Sequence, residues 1–218
     1  IVCDGCARWA NARGLSVSDG HEAAADTVVA RVGDAVALGL SQLTLYAFST
    51  ENWARAPEEV KGLFGMLARR IALDTPALHA QEVRVRFIGR RDRAGEELRS
   101  VIEDAEGVTS QNSGLELYVA VDYGGRDEIV SAAARYRGGG EKAFAELLST
   151  PATSDPDLLI RTSGERRLSN FLLWQAAYSE LVFRSELWPD FSHDALLECL
   201  EEYAQRTRRF GARVAPVG

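Results

Sequence analysis

Four segments concentrate the groups able to do polar chemistry: Asp4–Arg8, Ser49–Arg55, Asp122–Arg126 and Arg161–Asn170. Each follows a stretch that reads as a strand. The last is the richest, with Arg161, Arg166 and Arg167, the hydroxyls of Thr162, Ser163 and Ser169, and Gly164. A guanidinium fork grips phosphate oxygens in pairs, and the free N–H groups of a helix start add partial positive charge. An Arg-rich segment leading into the apolar Phe171–Trp174 is therefore expected to clamp a diphosphate just before a helix. The plainer alternative is a capped helix with solvated arginines, Ser169 or Asn170 being the cap.

Other chemistries lack their motifs. There is no G-x-x-x-x-G-K-[ST] loop and no G-x-G-x-x-G. No G-x-S-x-G elbow is present, and His21, His79 and His193 are the only histidines. Cys3-Asp4-Gly5-Cys6 spells C-x-x-C, which suits a redox pair or half of a zinc site. The second pair a zinc site needs is missing, and Cys199 stands alone. An odd cysteine count with no secretory signal points to a reducing cytoplasm.

The elements that must carry these segments follow from periodicity. Ile1–Cys3 reads as the end of a strand, and Asp4–Asp19 as loop. Gly20–Leu38 repeats apolar residues at helical spacing, through Ala24, Val28, Val32 and Val36. Leu43–Phe48 is a buried strand. Pro57, followed by Glu58 and Glu59, opens a helix reaching about Gln81. Strands are expected at Val83–Ile88, Leu115–Val121, Leu158–Ile160 and Leu181–Phe183. Helices are expected at Glu96–Thr109, Asp127–Tyr136, Leu172–Tyr178 and Asp194–Phe210, with a surface turn at Gly138–Lys142. Strands alternating with helices imply an α/β fold, a central, mostly parallel sheet surrounded by helices, in one domain over 1–218. In such sheets ligands bind beyond the carboxyl ends of the strands, where the four polar segments fall.

With 218 residues, 46% hydrophobic and 26% charged, the chain is of ordinary globular make-up and can bury a core. No apolar run approaches the ~20 residues of a membrane span. A net charge of −7 speaks against nucleic-acid binding, which relies on basic surface. The basic residues are nearly all arginine, 23 against 2 lysines, which favours bidentate anion recognition.

Taken together, several blocks make the chain similar to the cis-prenyltransferases, the undecaprenyl diphosphate synthase family. They are Asp4-Gly5 with Arg8-Trp9-Ala10, Gly20-His21, Leu43–Arg55, Asp122–Arg126, Asp157–Glu180, Leu187–Phe191 and Arg209-Phe210-Gly211. They run in family order along nearly the whole chain. The resemblance implies a sheet and helices enclosing a hydrophobic tunnel, usually in a homodimer. It also implies Mg²⁺-dependent transfer of an allylic prenyl group onto a second, C5 prenyl diphosphate. By it, Asp4 is the partner of metal and allylic diphosphate. Gly5, Cys6, Ala7, Arg8 and Trp9 form the same site with His21 and Arg55. Ser49 and Asn52 lie near the reacting carbons. Arg161, Arg167 and Ser169 take the second diphosphate, Glu180 is a further metal-associated carboxylate, and Arg209 and Gly211 reach the neighbouring subunit's site. Leu45, Ala47 and Leu117 are candidates for the tunnel wall.

The chain departs from the family pattern at four places. Cys6 stands for the usual Asn and Ala7 for Gly. Val17 replaces a diphosphate-binding Arg, and Asp122 an Asn. A thiol cannot reproduce an amide's donors and acceptor, and Val17 loses a charge-assisted bond. The departures cluster at the allylic site. They point to a specialised relative with a short product and irregular, head-to-middle (lavandulyl-type) coupling. An ordinary head-to-tail elongator using isopentenyl diphosphate and a non-catalytic partner subunit are the alternatives.

Overall fold

The structure, a computed structural model, describes residues 1–150 and 155–208. Its central strand is β3 (Glu116–Tyr123), in which Leu117, Tyr118, Ala120, Val121 and Tyr123 are all buried. A strand covered on both faces belongs inside a parallel sheet. β3 lies between β1 (Gln42–Ser49) and β2 (Arg84–Ile88), parallel to both. Parallel neighbours need a crossover. The helix α3 (Pro57–Ala80) carries the chain from β1 to β2, and α4 (Gly95–Thr109) carries it from β2 to β3. A second parallel pair, β4 (Leu158–Arg161) and β5 (Glu180–Phe183), is joined to the first through Val2, which bridges Tyr46 on one side and Arg161 on the other. The strand expected at Ile1–Cys3 is this bridge, anchored by Val2 N–H to Ile160 O at 2.9 Å and Tyr46 N–H to Ile1 O at 3.0 Å.

Apolar side chains divide between the two faces of the sheet. One cluster joins Leu43, Leu45, Phe48 and Leu117 to Val32, Leu63, Met66 and Ile102. The other gathers Tyr46, Ile88, Tyr118, Tyr123 and Phe171. Strict alternation would send Phe48 to the second face. The register shifts between Tyr46 and Phe48 and again before Ser49, which returns Phe48 to the first.

Four expectations need correcting. The loop read over Asp4–Asp19 contains α1 (Cys6–Ala12), and α2 begins at Val17, running to Ala37. No α-helix follows Arg161–Asn170: the apolar stretch there forms only a 3-10 turn, Gln175–Tyr178. A Ser or Asn N-cap typically holds extended backbone, whereas Ser169 and Asn170 both take positive φ, 48° and 64°. The surface turn expected at Gly138–Lys142 includes the start of α6 (Gly140–Ala145), after α5 (Gly125–Arg135). The final helix, α7 (His193–Ala204), ends well before the expected Phe210, which lies outside the described residues.

Candidate active site

A cavity of about 600 Å³ opens beyond the carboxyl ends of β1 and β4. One side is polar, with Asp4, Arg8, His21, Ser49, Arg161 and Ser169. The other is apolar, with Ala24, Val28, Leu45, Leu63, Met66 and Val119.

The polar side is built around Asp4. Gly5 turns the chain there at φ 108°, and a Cβ on it would lie 2.8 Å from Leu187 Cδ2, so glycine is required. The turn starts α1, which brings Arg8 back over Asp4. Arg161, 3% exposed at the end of β4, donates from Nη2 to Asp4 Oδ2 at 2.8 Å. Its Nη1 donates to Ser169 Oγ at 2.6 Å and to the Arg167 carbonyl at 2.7 Å. Arg8 Nη2 lies 3.4 Å from Asp4 Oδ1 and donates to Ser163 Oγ at 2.7 Å. Thr162 locks the backbone: its Oγ1 accepts from Asp4 N–H at 3.0 Å and donates to Asp4 O at 2.8 Å. Burial raises the Asp4 pKa, but the Arg161 and Ser163 hydrogen bonds and the Arg8 charge outweigh it. The carboxyl is held below its ordinary value and is ionised at neutral pH.

The other titratable groups are poor bases or poor nucleophiles. Burial, then the Arg55 charge, lowers the His21 pKa, which favours the neutral ring. Burial pushes Cys3 up to about 12 and Cys6 up to about 11, so both stay thiols. Each Sγ faces a nearby carbonyl, of Ile1 and of Cys3 respectively, and both cysteines are free.

Ser49 and Asn52 cap each other across the turn Thr50–Ala54. Ser49 N–H donates to Asn52 Oδ1 at 2.9 Å, and the Ser49 side chain accepts from Asn52 N–H. Both line the cavity, as do Cys6, Ala7 and Arg55, the last paired with Glu59 at 3.1 Å. Leu45 and Ala47 reach the cavity wall, whereas Leu117 is core.

Several expected residues are not brought in. The Arg167 side chain pairs with Glu165 and only its carbonyl joins the cradle. Trp9 donates to Asp190 Oδ1 at 2.7 Å, on the outer side of α1. Val17 sits in the first turn of α2, away from the cavity lining. Glu180 lies at the far end of the β4–β5 pair, held by Arg206 at 2.7 Å, and does not meet Asp4. Arg209 and Gly211 lie outside the described residues. Reading the sequence missed the Thr162 and Ser163 buttresses. It also missed a clasp in which Asn170 Nδ2 donates to Glu51 Oε1 at 2.7 Å while Asn170 Oδ1 accepts from Arg126 N–H at 2.8 Å. The hydroxyl run after Arg161 was the available signal for the first. The second had none.

Among the described residues no group of three or more His, Cys, Asp or Glu could hold a metal. Asp4 is a single ionised carboxylate, 31% exposed. That donor set does not cage an ion, but it fits magnesium, which is bound by one or two carboxylates with substrate phosphates and water. No helix among the described residues is long and apolar enough to cross a membrane.

The family model described as putative undecaprenyl diphosphate synthase matches residues 2–211. An isoprenyl transferase of Aquifex pyrophilus is 45% identical over 216 residues, 97% of this chain and 94% of the relative. One from Brucella suis is 47% identical over 222 residues, covering 97% and 87%. Among solved structures, lavandulyl diphosphate synthase from Lavandula x intermedia, in complex with dimethylallyl diphosphate, superposes with a TM-score of 0.93 at 36% identity, covering 96% of this chain and 95% of that one. A probable undecaprenyl diphosphate synthase from Campylobacter jejuni gives 0.81 at 32%, covering 87% and 92%.

Proposed function

The chain belongs to the undecaprenyl diphosphate synthase family and is a prenyltransferase, and on that premise we propose that it joins an allylic prenyl diphosphate to a second C5 prenyl diphosphate, giving a short product by head-to-middle coupling. The observation that carries this is an ionised carboxylate between two guanidinium groups, facing an apolar cavity of about 600 Å³. That volume falls within the ~300–1,000 Å³ of small-ligand sites and suits a short prenyl chain.

In this reading Arg8, His21, Arg55 and the N–H groups opening α1 bind the allylic diphosphate. Asp4 would hold magnesium, which when bound supplies charge neutralisation of the departing diphosphate. The allylic C1–O bond breaks and the diphosphate leaves with the electron pair. The double bond of the acceptor attacks C1, one carbon–carbon bond forms, and the resulting cation loses a proton. Neutral His21 and the two thiols are weak acceptors, so the proton passes to the released diphosphate, directly or relayed by Ser49. The apolar wall excludes water, which would otherwise trap the cation. Arg161, Arg167 and Ser169 take the second diphosphate, Arg209 and Gly211 reach that site from the neighbouring subunit, and Glu180 is a further metal-associated carboxylate, in a cytoplasmic homodimer.

Head-to-middle coupling is supported by Cys6, a neutral thiol beside Asp4, and by the likeness to lavandulyl diphosphate synthase. The isoprenyl transferases at 44–47% identity favour a second reading, head-to-tail elongation with isopentenyl diphosphate. Incubation with dimethylallyl, isopentenyl and geranyl diphosphates plus magnesium, followed by mass spectrometry and NMR of the products, decides. A branched short product supports the proposal, and exclusively long Z-chains overturn it. In the first reading Cys6→Asn changes the regiochemistry; in the second it changes only the rate.

A further inference from the structure

Trp53 is the fourth residue of the turn Thr50–Ala54; that turn and its flanks present Ser49, Asn52 and Arg55 to the cavity. Its indole is held from several sides. Phe48 and Phe64 meet it edge-on, with ring centroids 5.8 and 5.3 Å away. Its Nε1–H donates to Asp122 Oδ1 at 2.8 Å. The Arg93 guanidinium lies 4.9 Å from the ring centroid, within cation–π range. The same guanidinium grips both oxygens of Asp122, Nε to Oδ2 at 2.9 Å and Nη2 to Oδ1 at 2.5 Å.

Asp122 is fully buried, at 0% exposure. A charge there is costly unless it is paired. Its backbone is at φ 51°, a conformation in which asparagine is at least as comfortable. Neither burial nor backbone asks for a carboxylate. An amide at this position could still accept from the indole, so the charge serves the pairing with Arg93. That pairing fixes the guanidinium over the ring, and the three groups close on one another. Neither Asp122 nor Arg93 lines the cavity.

We infer that Asp122 and Arg93 form an ion-paired latch that, through Trp53, positions the turn bearing Asn52, with Ser49 and Arg55 on its flanks, for the coupling step. They are positioning residues, and their effect on turnover rests on the transferase reading above.

The test uses Asp122→Asn, Arg93→Gln and the double variant in protein labelled with 5-fluorotryptophan, the Trp53 ¹⁹F line being assigned with Trp53→Phe. Each single variant leaves one buried charge or fork unmatched. It should lower kcat roughly ten- to a hundredfold, because small displacements of reacting groups are costly, with KM for the allylic diphosphate within about twofold. The Trp53 line should shift or broaden while those of Trp9, Trp174 and Trp188 stay. The double variant pairs two neutral amides and should recover most of kcat and the original line, the signature of coupled residues. A Trp53 line unmoved in the singles, lower melting temperatures with kcat intact, or losses that multiply in the double would each overturn the latch. Asp122→Asn, which leaves unpaired only the one-third exposed Arg93, stays measurable if Arg93→Gln, which strands the buried carboxylate, folds poorly. Should the wild type transfer no prenyl group between any substrates, the transferase reading fails, and the ¹⁹F spectra still decide the latch.

Discussion

Replacing Arg161 by Met removes the guanidinium that ties the two halves of the cradle together. Three short hydrogen bonds go: to Asp4 Oδ2, to Ser169 Oγ and to the Arg167 carbonyl. At about 1.5–3 kcal/mol for each bond to a charged group, a plain sum gives ~4.5–9 kcal/mol. That overshoots. The Asp4 side chain is 31% exposed, so water re-solvates it, and Arg8 still lies 3.4 Å from its other oxygen. Met also keeps much of the arginine's packing volume. The expected cost is about 3 kcal/mol, the lower edge of what breaking a buried pair costs. For a chain of this size that lowers Tm by about 6–12 °C. Turnover should fall at least about a hundredfold, since ~2.7 kcal/mol of lost transition-state stabilisation suffices. Arg161→Lys keeps the charge without the fork and should recover part of the stability and little of the rate. Thermal melts at neutral pH and steady-state release of diphosphate measure both. If the Met variant melts within about 2 °C of the wild type and turns over normally, Arg161 does not hold this site together.

Gly5→Ala adds a Cβ at φ 108° against Leu187, and should cost about 1–3 kcal/mol; an unchanged melting curve would count against the required turn. A carboxylate with a depressed pKa stabilises the fold above its unfolded value of about 3.9 and loses that contribution as pH falls through the lower folded value. Asp4 is such a group, so the stability gap between wild type and Asp4→Asn, from urea titrations at stepped pH, should be flat near neutrality and shrink only below about pH 4. The same variant removes an anion that competes for Arg8 and Arg161. By calorimetry it should bind inorganic diphosphate more tightly without magnesium while losing turnover. Met66→Trp, at a buried position of the apolar wall, should shorten the longest product and leave diphosphate affinity within about twofold, because a pocket reads its occupant locally.

The parts of the fold legible in the sequence are those set locally. Pro57 with Glu58 and Glu59 marked the start of α3, and the apolar runs marked β1, β2 and β3 to within about two residues. The helix α1 escaped because nothing local specifies it: it has no side-chain cap, no acidic first turn, and only Ala10 buried. It is held by its approach to α2, so close that a Cβ on Gly20 would fall 2.5 Å from the Cys6 carbonyl. The start of α2 was readable, in the Ser16–Asp19 capping box. In the site, the segments Asp4–Arg8 and Arg161–Asn170 stood out by residue type, and the family resemblance picked out Asp4, Arg8, Arg161 and Ser169 within them. It picked out Arg167 and Glu180 equally, yet within this chain they turn to Glu165 and Arg206. Which arginine faces a cavity depends on neighbours distant in sequence.

That distinction bears on how the cradle works. A pocket of bare arginines would repel itself and hold its charges apart. Here Asp4 sits between Arg8 and Arg161 and supplies an anion of the right reach, while Ser163 and Ser169 fix the far side of each fork. The geometry is thus preorganised before any diphosphate arrives. On the proposed function, an incoming diphosphate meets guanidinium groups already aimed, and must displace a carboxylate to use them. Displaced from the arginines, that carboxylate is itself free to take a cation. On that reading the same residue keeps the site in shape when empty and would take magnesium when it fills, a reason for an acid in the centre of a site for anions.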